Sequence, residues 1–529
     1  MDVFEGRGYR EQQEEDTERW HIHWKAGRFK PSEYAAANPA QRVNHFPKTS
    51  GITKKDTLLR NLRRMRAIHG QIFNFFPESV RLVCGCNRYL LPTEYLTLAR
   101  SCEQRYDEPV WILKPTDSSQ GRKIFLIRDI SEISYGHFSD SMKAELLGER
   151  PDEDRKDPRL DEKGRAIATD LDMATTLRML RSRLHKTVCP CVKFTEMHIV
   201  QRYIAQPLCF HGLSEWRGST LCAGYKLDLR IYVLLVSAQP LRVYAYKDCL
   251  VRFATQKFDM SDLENTFSHL TNTSINKNSV SYSTVKDGIR GGCKWSLLSF
   301  IREYPYHPLS SSLLWSRIHA IINLTLLSIA PSIPDNGGCF ELLGYDIIID
   351  ERLRPWLLEV NSSPALGVEC SVDREVKEPL LIDLVDMLAL QVSISARAMV
   401  GVSLEVKLSE LQPFRLLSAS VSRHAATAPP SAFISGTGST RATSIGRSEQ
   451  ERQAEVMRLP EGVGGYELIF PFNAKTSRLA SKVGGSEAQI ISEIKAKLQS
   501  DAAAAHGTDE TELVLSTYQN FEADHCKSL

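Results

Sequence analysis

This chain lacks the cysteine density of a disulfide-rich protein, with a modest 12 in 529 residues. Two close pairs exist, Cys84/Cys86 and Cys189/Cys191, but one residue separates the members of each pair, which is tighter than zinc-knuckle spacing. No further His/Cys pair lies at knuckle distance from either of them. We therefore expect scattered reduced thiols in an intracellular protein, with a metal site at these pairs as the weaker alternative.

Long apolar runs are missing as well. The N-terminus is charged from its first residues and has no apolar signal-peptide core. No stretch approaches the roughly 20 apolar residues of a membrane span. The two longest, 318–333 and 380–392, contain Asn323 and the pair Asp383 and Asp386, and they fit amphipathic helices. We expect a soluble protein without a membrane segment, in the cytosol or a compartment open to it.

A strong excess of one charge sign is also absent. Lys and Arg number 66 and Asp and Glu number 64, a net charge of +2, which argues against wholesale coating of nucleic acid. The 42% hydrophobic and 25% charged residues are ordinary for a globular protein and exclude a disordered chain, a collagen-like fibre and a coiled-coil rod. The length predicts about three to four domain-sized units.

The sharpest feature that is present is a predicted β-hairpin at residues 340–361. Side chains alternate faces along a strand, so Glu359 and Asn361 point the same way. A turn at Glu351–Arg354 would place Asp346 directly opposite Glu359. Like charges in that position destabilise a hairpin, and a hard cation such as Mg²⁺ would remove the conflict. The alternative is that one carboxylate simply faces solvent.

Two strands carry charged residues suited to anions. Lys226, Asp228 and Arg230 alternate with aliphatic residues, so all three share one strand face. These three charged side chains could form the floor of a phosphate site. The alternative is that they simply face solvent. Arg252 lies alone in an apolar strand and needs an anionic partner.

Two loops add polar groups. Lys114 ends a short apolar strand before a loop that contains Ser119 and Gly121, an arrangement that suits phosphate binding but is weak evidence alone. Residues 269–277 are unusually rich in hydrogen-bonding side chains. Together with the hairpin, these features favour an enzyme that transfers phosphate from a nucleotide. Walker A, HRD and DFG motifs are absent from the sequence.

Positive charge is concentrated in two segments. Residues 53–70 have the apolar spacing of a helix that ends at Gly70, and six of them are Lys or Arg. Residues 418–448 are rich in Ser, Ala, Thr, Gly and Pro, with three Arg and no acidic residue. Both are candidate contacts for an acidic partner. The alternatives are a solvated helix face and plain disorder.

Periodicity and turn residues predict the remaining elements. Strands are expected at 20–24, 110–114, 123–128, 197–204, 225–236, 241–245 and 249–254. Helices are expected at 295–303, 313–330, 380–392 and 486–498.

The ordered motifs resemble the tubulin–tyrosine-ligase-like family, whose core is an ATP-grasp fold. The resemblance covers roughly residues 20–400. It rests on Val43–Pro47, Trp111–Pro115, Tyr225–Arg230, Val251–Thr255, His269–Asn272, Phe340–Asp346, Pro355–Asn361 and Ser363–Pro364, and Gly464–Pro471 resembles the end of the family's core. Gln120 and Lys123 stand where the family usually has Arg and Gly, which leaves the substrate preference open.

The resemblance implies a role for each matching residue. ATP would be bound by Lys114, Ser119, Gly121, Gln201, Arg202, Tyr203, Ile204, Lys226 and Asp228, with Gln201 at the adenine edge. Charge in the reaction would be stabilised by Arg230, Arg252 and Lys226. The acceptor and the amino acid would meet Asp228, Arg230, Arg252, Asn272 and Lys277. Mg²⁺ would be bound by Asp346, Glu359 and Asn361.

The resemblance also implies a reaction and partners. An ATP- and Mg²⁺-dependent ligase would add free glutamate, through an acyl phosphate, to glutamates in the acidic tails of tubulin. Glycine or a non-tubulin acceptor, and an inactive microtubule-binding protein, are the alternatives. Nucleic acid and membrane are not expected as partners. The expected location is the cytoplasm and cytoskeleton, with a ciliary or flagellar axoneme or basal body left open.

The expected fold is α/β (α+β), an ATP-grasp-type ligase core with N-terminal, central and C-terminal subdomains and disordered insertions. The predicted divisions are a disordered 1–19; a core at 20–400, divided into 20–108, 109–224 with an insertion at 136–195, and 225–400; a flexible linker at 401–460; and an end-of-core segment and tail at 461–529.

Overall fold

A computed structural model describes most of the predicted core. The described residues are 2–10, 20–38, 41–82, 109–116, 124–128, 198–210, 224–276, 279, 292–334, 338–400, 458–480 and 486–505. The four close-pair cysteines, the insertion at 136–195 and the basic segment at 418–448 lie outside these residues.

Helices and strands are mixed along the described chain. The strands are β1 (Ile22–His23), β2 (Arg42–Val43), β3 (Ser79–Leu82), β4 (Trp111–Pro115), β5 (Phe125–Ile127), β6 (His198–Arg202), β7 (Cys209–Phe210), β8 (Tyr225–Ala238), β9 (Leu241–Tyr246), β10 (Leu250–Phe253), β11 (Lys294–Ser296), β12 (Glu341–Ile349), β13 (Pro355–Asn361), β14 (Gly462–Val463) and β15 (Tyr466–Phe470). The α-helices are α1 (Asp2–Gly6), α2 (Pro31–Ala36), α3 (Ser50–Thr53), α4 (Lys55–His69), α5 (Thr266–His269), α6 (Thr273–Asn276), α7 (Leu297–Glu303), α8 (Ser312–Leu327), α9 (Ser371–Val400), α10 (Ala474–Ala480) and α11 (Glu487–Ala505).

The chain forms two compact units. Unit 1 comprises Met1–Phe76, Leu227–Phe253 and Val285–Leu529, and unit 2 comprises Pro77–Lys226 and Ala254–Thr284. The chain therefore passes between the units four times. The sequence predicts three consecutive subdomains instead, because composition reveals insertions but not which segments return to an earlier core.

The main sheet of unit 1 has strands of different lengths, and their order is β11-β10-β8-β9-β15-β14. The long strand β8 pairs antiparallel with β10 and β9 along one edge and with β12 along the other. Its aliphatic residues are buried on both faces, as expected for a central strand. On one face, Tyr232 and Leu234 pack with Leu380, Leu384 and Leu388 of α9.

Unit 2 contains a separate antiparallel sheet in the order β3-β6-β4-β5. Val110 and Ile112 form its small core together with Tyr203 and Leu270. The half-buried ring of Phe258 packs against that cluster. The sheet therefore places the predicted nucleotide residues of β4 and β6 on adjacent strands.

Several predicted elements are confirmed, with shifted ends. The basic helix is α4, and it ends at Gly70 as expected. Leu58, Leu62 and Met65 are buried on its inner side, whereas Ile68, which continues the same spacing, is 64% exposed. The extended backbone of Lys54 separates α3 from α4.

Other predictions need correction. Asp2–Gly6 is helical where disorder was expected, and Arg7 forms an ion pair with Asp386 at 2.8 Å. Trp295 lies in β11 rather than in a helix, because the edge of β10 offers it backbone partners. Helix α9 starts well before residue 380 and contains Pro379, since burial of its apolar face outweighs the lost hydrogen bond.

One helical stretch, Ser312–Ser332, is long and apolar enough to cross a membrane by length and composition. Its most apolar window is 72% buried within the protein. That burial is what a core helix shows. Asn323 within it donates to the carbonyl of Ile469 at 2.9 Å, which docks the helix on β15.

Candidate active site

Charged side chains face one another across three neighbouring strands of unit 1. Asp228 of β8 lies opposite Arg252 of β10, and Arg230 of β8 lies opposite Asp346 of β12. Arg252 donates two hydrogen bonds to Asp228, from Nε to Oδ1 at 2.7 Å and from Nη2 to Oδ2 at 2.6 Å. This parallel pair matches the planar guanidinium to the carboxylate, which a lysine cannot reproduce.

Asp346 joins the two arginines. Its carboxylate accepts hydrogen bonds from Nε of Arg230 and, at 2.9 Å, from Nη2 of Arg230. Its Oδ2 also lies 3.2 Å from Nη2 of Arg252. The side chains of Asp346 and Arg252 are 4% and 7% exposed, whereas that of Arg230 is 14% exposed. Arg230 is therefore the member of this buried charge network that solvent or a ligand reaches most easily.

The network fixes the charge state of its members. Burial alone would raise the pKa of Asp346, but the guanidiniums of Arg230 and Arg252 outweigh it and hold that pKa well below its usual range. Burial would likewise lower the pKa of Arg252, but the carboxylates, Asp228 first, raise it above its ordinary value. Both ions therefore stay charged near neutral pH.

The hairpin has the predicted pairing at its key position. Asp346 lies opposite Glu359 in the register of β12 and β13. The turn differs, however, because the N–H of Asp350 donates to the carbonyl of Arg354 at 3.0 Å and leaves three turn residues instead of four. A β-bulge at Leu358 then restores the expected register. The shorter turn and the bulge thus offset each other, and Asp346 still pairs with Glu359.

The remaining predicted metal ligands lie next to Asp346 on this hairpin. Asn361 Nδ2 is 3.4 Å from Glu359 Oε1, and Nζ of Lys55 in α4 is 3.3 Å from Glu359 Oε2. Among the described residues, no group of three or more His, Cys, Asp or Glu side chains could hold a metal ion. The predicted set consists of two carboxylates and an amide, and oxygen donors of this kind suit Mg²⁺. Both carboxylates contact cationic side chains, so the donor chemistry fits a cation.

In unit 2, Lys226 is held by aromatic and backbone groups. Its Nζ donates to the hydroxyl of Tyr203 and to the carbonyl of His269, each at 2.8 Å. The same ammonium lies 4.3 Å from the centre of the Tyr203 ring, within cation–π range. The Tyr203 hydroxyl is also 2.9 Å from Nδ1 of His269. Burial, with the Lys226 charge adding to it, lowers the pKa of His269, so a neutral imidazole is favoured.

Lys114 is fixed on the unit 2 sheet. Its Nζ donates to Oε1 of Gln201 on the adjacent strand at 2.7 Å. Gln201 is 2% exposed, and its Nε2 donates to Oγ of Ser79 at 3.2 Å. The side-chain amide proposed for the adenine edge therefore positions Lys114 here. Sequence alone could not show this, because the two residues are far apart in the chain.

The other predicted residues are less informative. Arg202, Ile204 and Asn272 are half-buried, and the Asn272 carbonyl accepts from Nδ2 of Asn276 at 3.1 Å. Three more lie outside the described residues: Ser119, Gly121 and Lys277. The structure thus joins Asp228, Arg230, Arg252 and Asp346 directly, pairs Lys226 with Tyr203, and pairs Lys114 with Gln201.

The sequence analysis missed two residues, Lys55 and Glu341, that pair with residues of its motifs. Lys55 belongs to the basic helix, and nothing local indicates that it reaches Glu359. Glu341 at the start of β12 is fully buried and lies 3.0 Å from Nδ1 of His45, while it accepts from the N–H of Phe46 at 3.1 Å. Two features of the sequence could have indicated the pairing of Glu341 with His45. One is an acidic residue at the start of a buried strand, and the other is the histidine of the Val43–Pro47 motif.

The chain is similar to several known proteins. The probable tubulin polyglutamylase TTLL2 of Homo sapiens is 34% identical over 386 residues, covering 72% of this chain and 52% of its own length. The tubulin polyglutamylase TTLL6 of Mus musculus is 30% identical over 382 residues, covering 70% and 36%. The probable alpha-tubulin polyglutamylase Ttll1 of Tetrahymena thermophila is 28% identical over 404 residues, covering 72% and 81%.

The match to the human and mouse TTLL2 proteins spans 52% and 57% of their length, so it covers little more than half of each. The model of the tubulin-tyrosine ligase family matches residues 34–398. That match includes the buried charge network, the hairpin and the lysines of unit 2. This chain therefore belongs to the tubulin-tyrosine ligase family.

Proposed function

We propose that this chain is an ATP- and Mg²⁺-dependent ligase that adds glutamate to glutamates in acidic tubulin tails. In this reaction ATP transfers its γ-phosphoryl group to an acceptor carboxylate and leaves as ADP. The amine of free glutamate then attacks the acyl phosphate, an isopeptide bond forms, and inorganic phosphate and a proton are released. The names of the relatives support this acceptor and this amino acid. The observation that carries the proposal is the buried charge network of Asp228, Arg230, Arg252 and Asp346.

The network suits a reaction in which negative charge grows. Asp228 and Asp346 hold Arg252 rigidly, and Asp346 also orients the more open Arg230. A preorganised cation stabilises a developing oxyanion without reorganising during the step. We assign Arg230 to the anionic intermediate and Arg252 to support of its position and charge.

Two lysines of unit 2 are assigned to the ATP phosphates. Lys226 is oriented by neutral oxygen atoms of Tyr203 and His269, and Lys114 by the amide of Gln201. These contacts fix the position of each ammonium, and a lysine ammonium is a strong hydrogen-bond donor to phosphate oxygens. Backbone groups of β6 and the residues after it would then meet the adenine.

The hairpin is assigned to the metal. Asp346, Glu359 and Asn361 would hold Mg²⁺, which when bound neutralises phosphate charge and orients the transferred group. Without such an ion, Arg230 and Lys55 balance the two carboxylates. We infer that Lys55 holds Glu359 in place before the nucleotide binds.

The decisive experiment supplies the purified chain with microtubules, ATP, Mg²⁺ and isotopically labelled glutamate or glycine. Mass spectrometry of the tubulin tails should show added glutamate. Microtubules whose tails have been removed by proteolysis serve as the control acceptor and should stay unlabelled. Incorporation of glycine alone would show a glycylase, and incorporation of neither would favour an inactive microtubule-binding protein.

The proposal extends to location. An enzyme that modifies tubulin is expected in the cytoplasm and on the cytoskeleton. An axonemal or basal-body location stays a prediction, to be checked by imaging the tagged protein in ciliated cells.

A further inference from the structure

A polar cavity lies in unit 1, and the residues of the charge network do not line it. It has a volume of about 630 Å³ and is lined by β9, β15, α8, α10 and α11 together with the chain before β14. None of the residues assigned to ATP, metal or acceptor lines it. The volume is within the range of small-molecule sites.

Arg242 of β9 lines this cavity and is 3% exposed. Its Nε donates to the hydroxyl of Tyr244 at 2.9 Å, and its Nη2 donates to the carbonyls of Leu459 and Pro460. These partners are all neutral, and no carboxylate lies within ion-pair distance of Arg242 among the residues described here. A buried guanidinium normally has an anionic partner. Arg242 therefore gives the cavity an anchored positive charge for which the described residues supply no counter-ion.

Asn323 of α8 adds a buried hydrogen-bond acceptor that needs a donor. It is 3% exposed and lines the same cavity. Its Nδ2 donates to the carbonyl of Ile469, which fixes the amide orientation, but its Oδ1 is buried without a hydrogen-bond donor in the described part of the chain. A buried acceptor without a donor is costly. A ligand that offers an N–H or O–H group would satisfy it.

Three further charged side chains and a histidine line the cavity. Lys497 of α11 lies at its rim and pairs with Asp501 at 3.1 Å. The exposed residues Glu461 and Glu467 also line it. His319 adds an imidazole to the lining. A buried positive charge and exposed acidic groups in the same lining suit a ligand that carries both a carboxylate and a protonated amine.

We propose that this cavity binds a small carboxylate of the amino-acid class, with its carboxylate on Arg242 and an N–H group on Asn323. The volume exceeds that of one amino acid, so a short acidic peptide with the same groups also fits. This inference does not depend on the ligase activity, because it rests on different residues.

Calorimetric titration of the full chain with L-glutamate, triglutamate, succinate and inorganic phosphate tests the proposal. Glutamate or triglutamate should bind saturably, and which of them binds more tightly identifies the source of the carboxylate. Succinate should bind at least about tenfold more weakly, because it lacks the N–H group for Asn323. Binding of phosphate alone, or no saturable binding of a carboxylate up to about 10 mM, would overturn the assignment.

Matched variants separate this cavity from the proposed active site. Lys497→Glu and Ala474→Trp change exposed residues that line the cavity, and both should weaken carboxylate binding at least about tenfold. Lys495→Glu makes the same charge change on the same helix, outside the lining, and should leave binding unchanged. Thermal melting confirms that each variant folds. Unaltered binding in both cavity variants would place the ligand elsewhere and reject the proposal.

Discussion

Arg252 reaches across from β10 to grip both oxygens of Asp228 on β8, at 2.7 and 2.6 Å. Because Arg252 also touches Asp346, one guanidinium neutralises two carboxylates on two different strands. The sheet and the proposed chemistry thus depend on the same side chain.

Removal of that side chain should destabilise the fold. Arg252→Met removes the guanidinium that bonds both oxygens of buried Asp228, so we expect the free energy of unfolding to fall by about 3–5 kcal/mol. Urea denaturation at neutral pH measures this. The matched variant Arg302→Met, at an exposed position of α7, should change it by less than about 0.5 kcal/mol. Equal effects of the two variants would contradict a structural role of the network.

Acid should weaken the same network. The folded-state pKa of Asp346 is depressed, so its contribution to stability is present above the unfolded value of about 3.9 and is lost as pH falls through the folded value. The stability gap between the native chain and Asp346→Asn should therefore narrow below about pH 4. Urea midpoints across that range test this. A gap that stays constant through that range would show that Asp346 does not stabilise the fold in this way.

A second pH effect should come from His319. Burial, with the charge of Lys497 second, lowers the pKa of His319 from 6.5 to about 4. The neutral form is favoured in the fold, so stability is complete above pH 6.5 and declines as pH falls towards 4. His319→Gln should flatten that decline in thermal melts. Parallel pH profiles for the two proteins would show that His319 is not the group responsible.

Glu359→Gln tests the metal assignment. The change removes one negative charge from the hairpin, so ligation should fall by about 100-fold or more, since loss of an outer-shell partner already costs about 10–100-fold. The fold should be preserved, because the lost contact with Lys55 is a partly exposed pair worth about 1 kcal/mol at most. Glu378→Gln, an exposed position of α9, is the control. Full activity of Glu359→Gln would reject the assignment.

The basic helix α4 should contact the acidic partner. Its exposed arginines include Arg60 and Arg66, and reversing both to Glu should weaken co-sedimentation with microtubules, most clearly at low salt. The same charge change at the exposed residues Arg302 and Arg374, on α7 and α9, should have little effect. Identical losses in the two double variants would mean that only net charge matters.

Local patterns predicted the strands that carry the proposed chemistry. Alternation along β8 correctly grouped Asp228 and Arg230 on one face, and the hairpin pattern correctly placed Asp346 opposite Glu359. These inferences succeed because a strand has a fixed two-residue period. The pairing of Arg252 with Asp228 needed the strand order of the sheet, which periodicity does not contain.

Contacts between distant segments were beyond sequence reasoning. Lys114 meets Gln201 across 87 positions, and Lys226 meets the His269 carbonyl across 43. Neither residue type nor spacing indicates such partners. The opposing carboxylates on the hairpin suggested a cation, but the structure supplies Arg230 and Lys55, one from β8 and one from the basic helix.

The strand β15 makes the C-terminal region part of the main sheet, although it lies far along the sequence from the strands β8 to β13. Tyr466–Phe470 pairs with β9 inside the main sheet, although the family match ends at residue 398. A chain shortened to the matched residues would leave β9 as a bare edge, open to pairing with another molecule. It would also lose the residues after 458 that line the cavity around Arg242. A shortened form of this protein should therefore retain β15, and its ends should be chosen from the sheet rather than from the extent of sequence similarity.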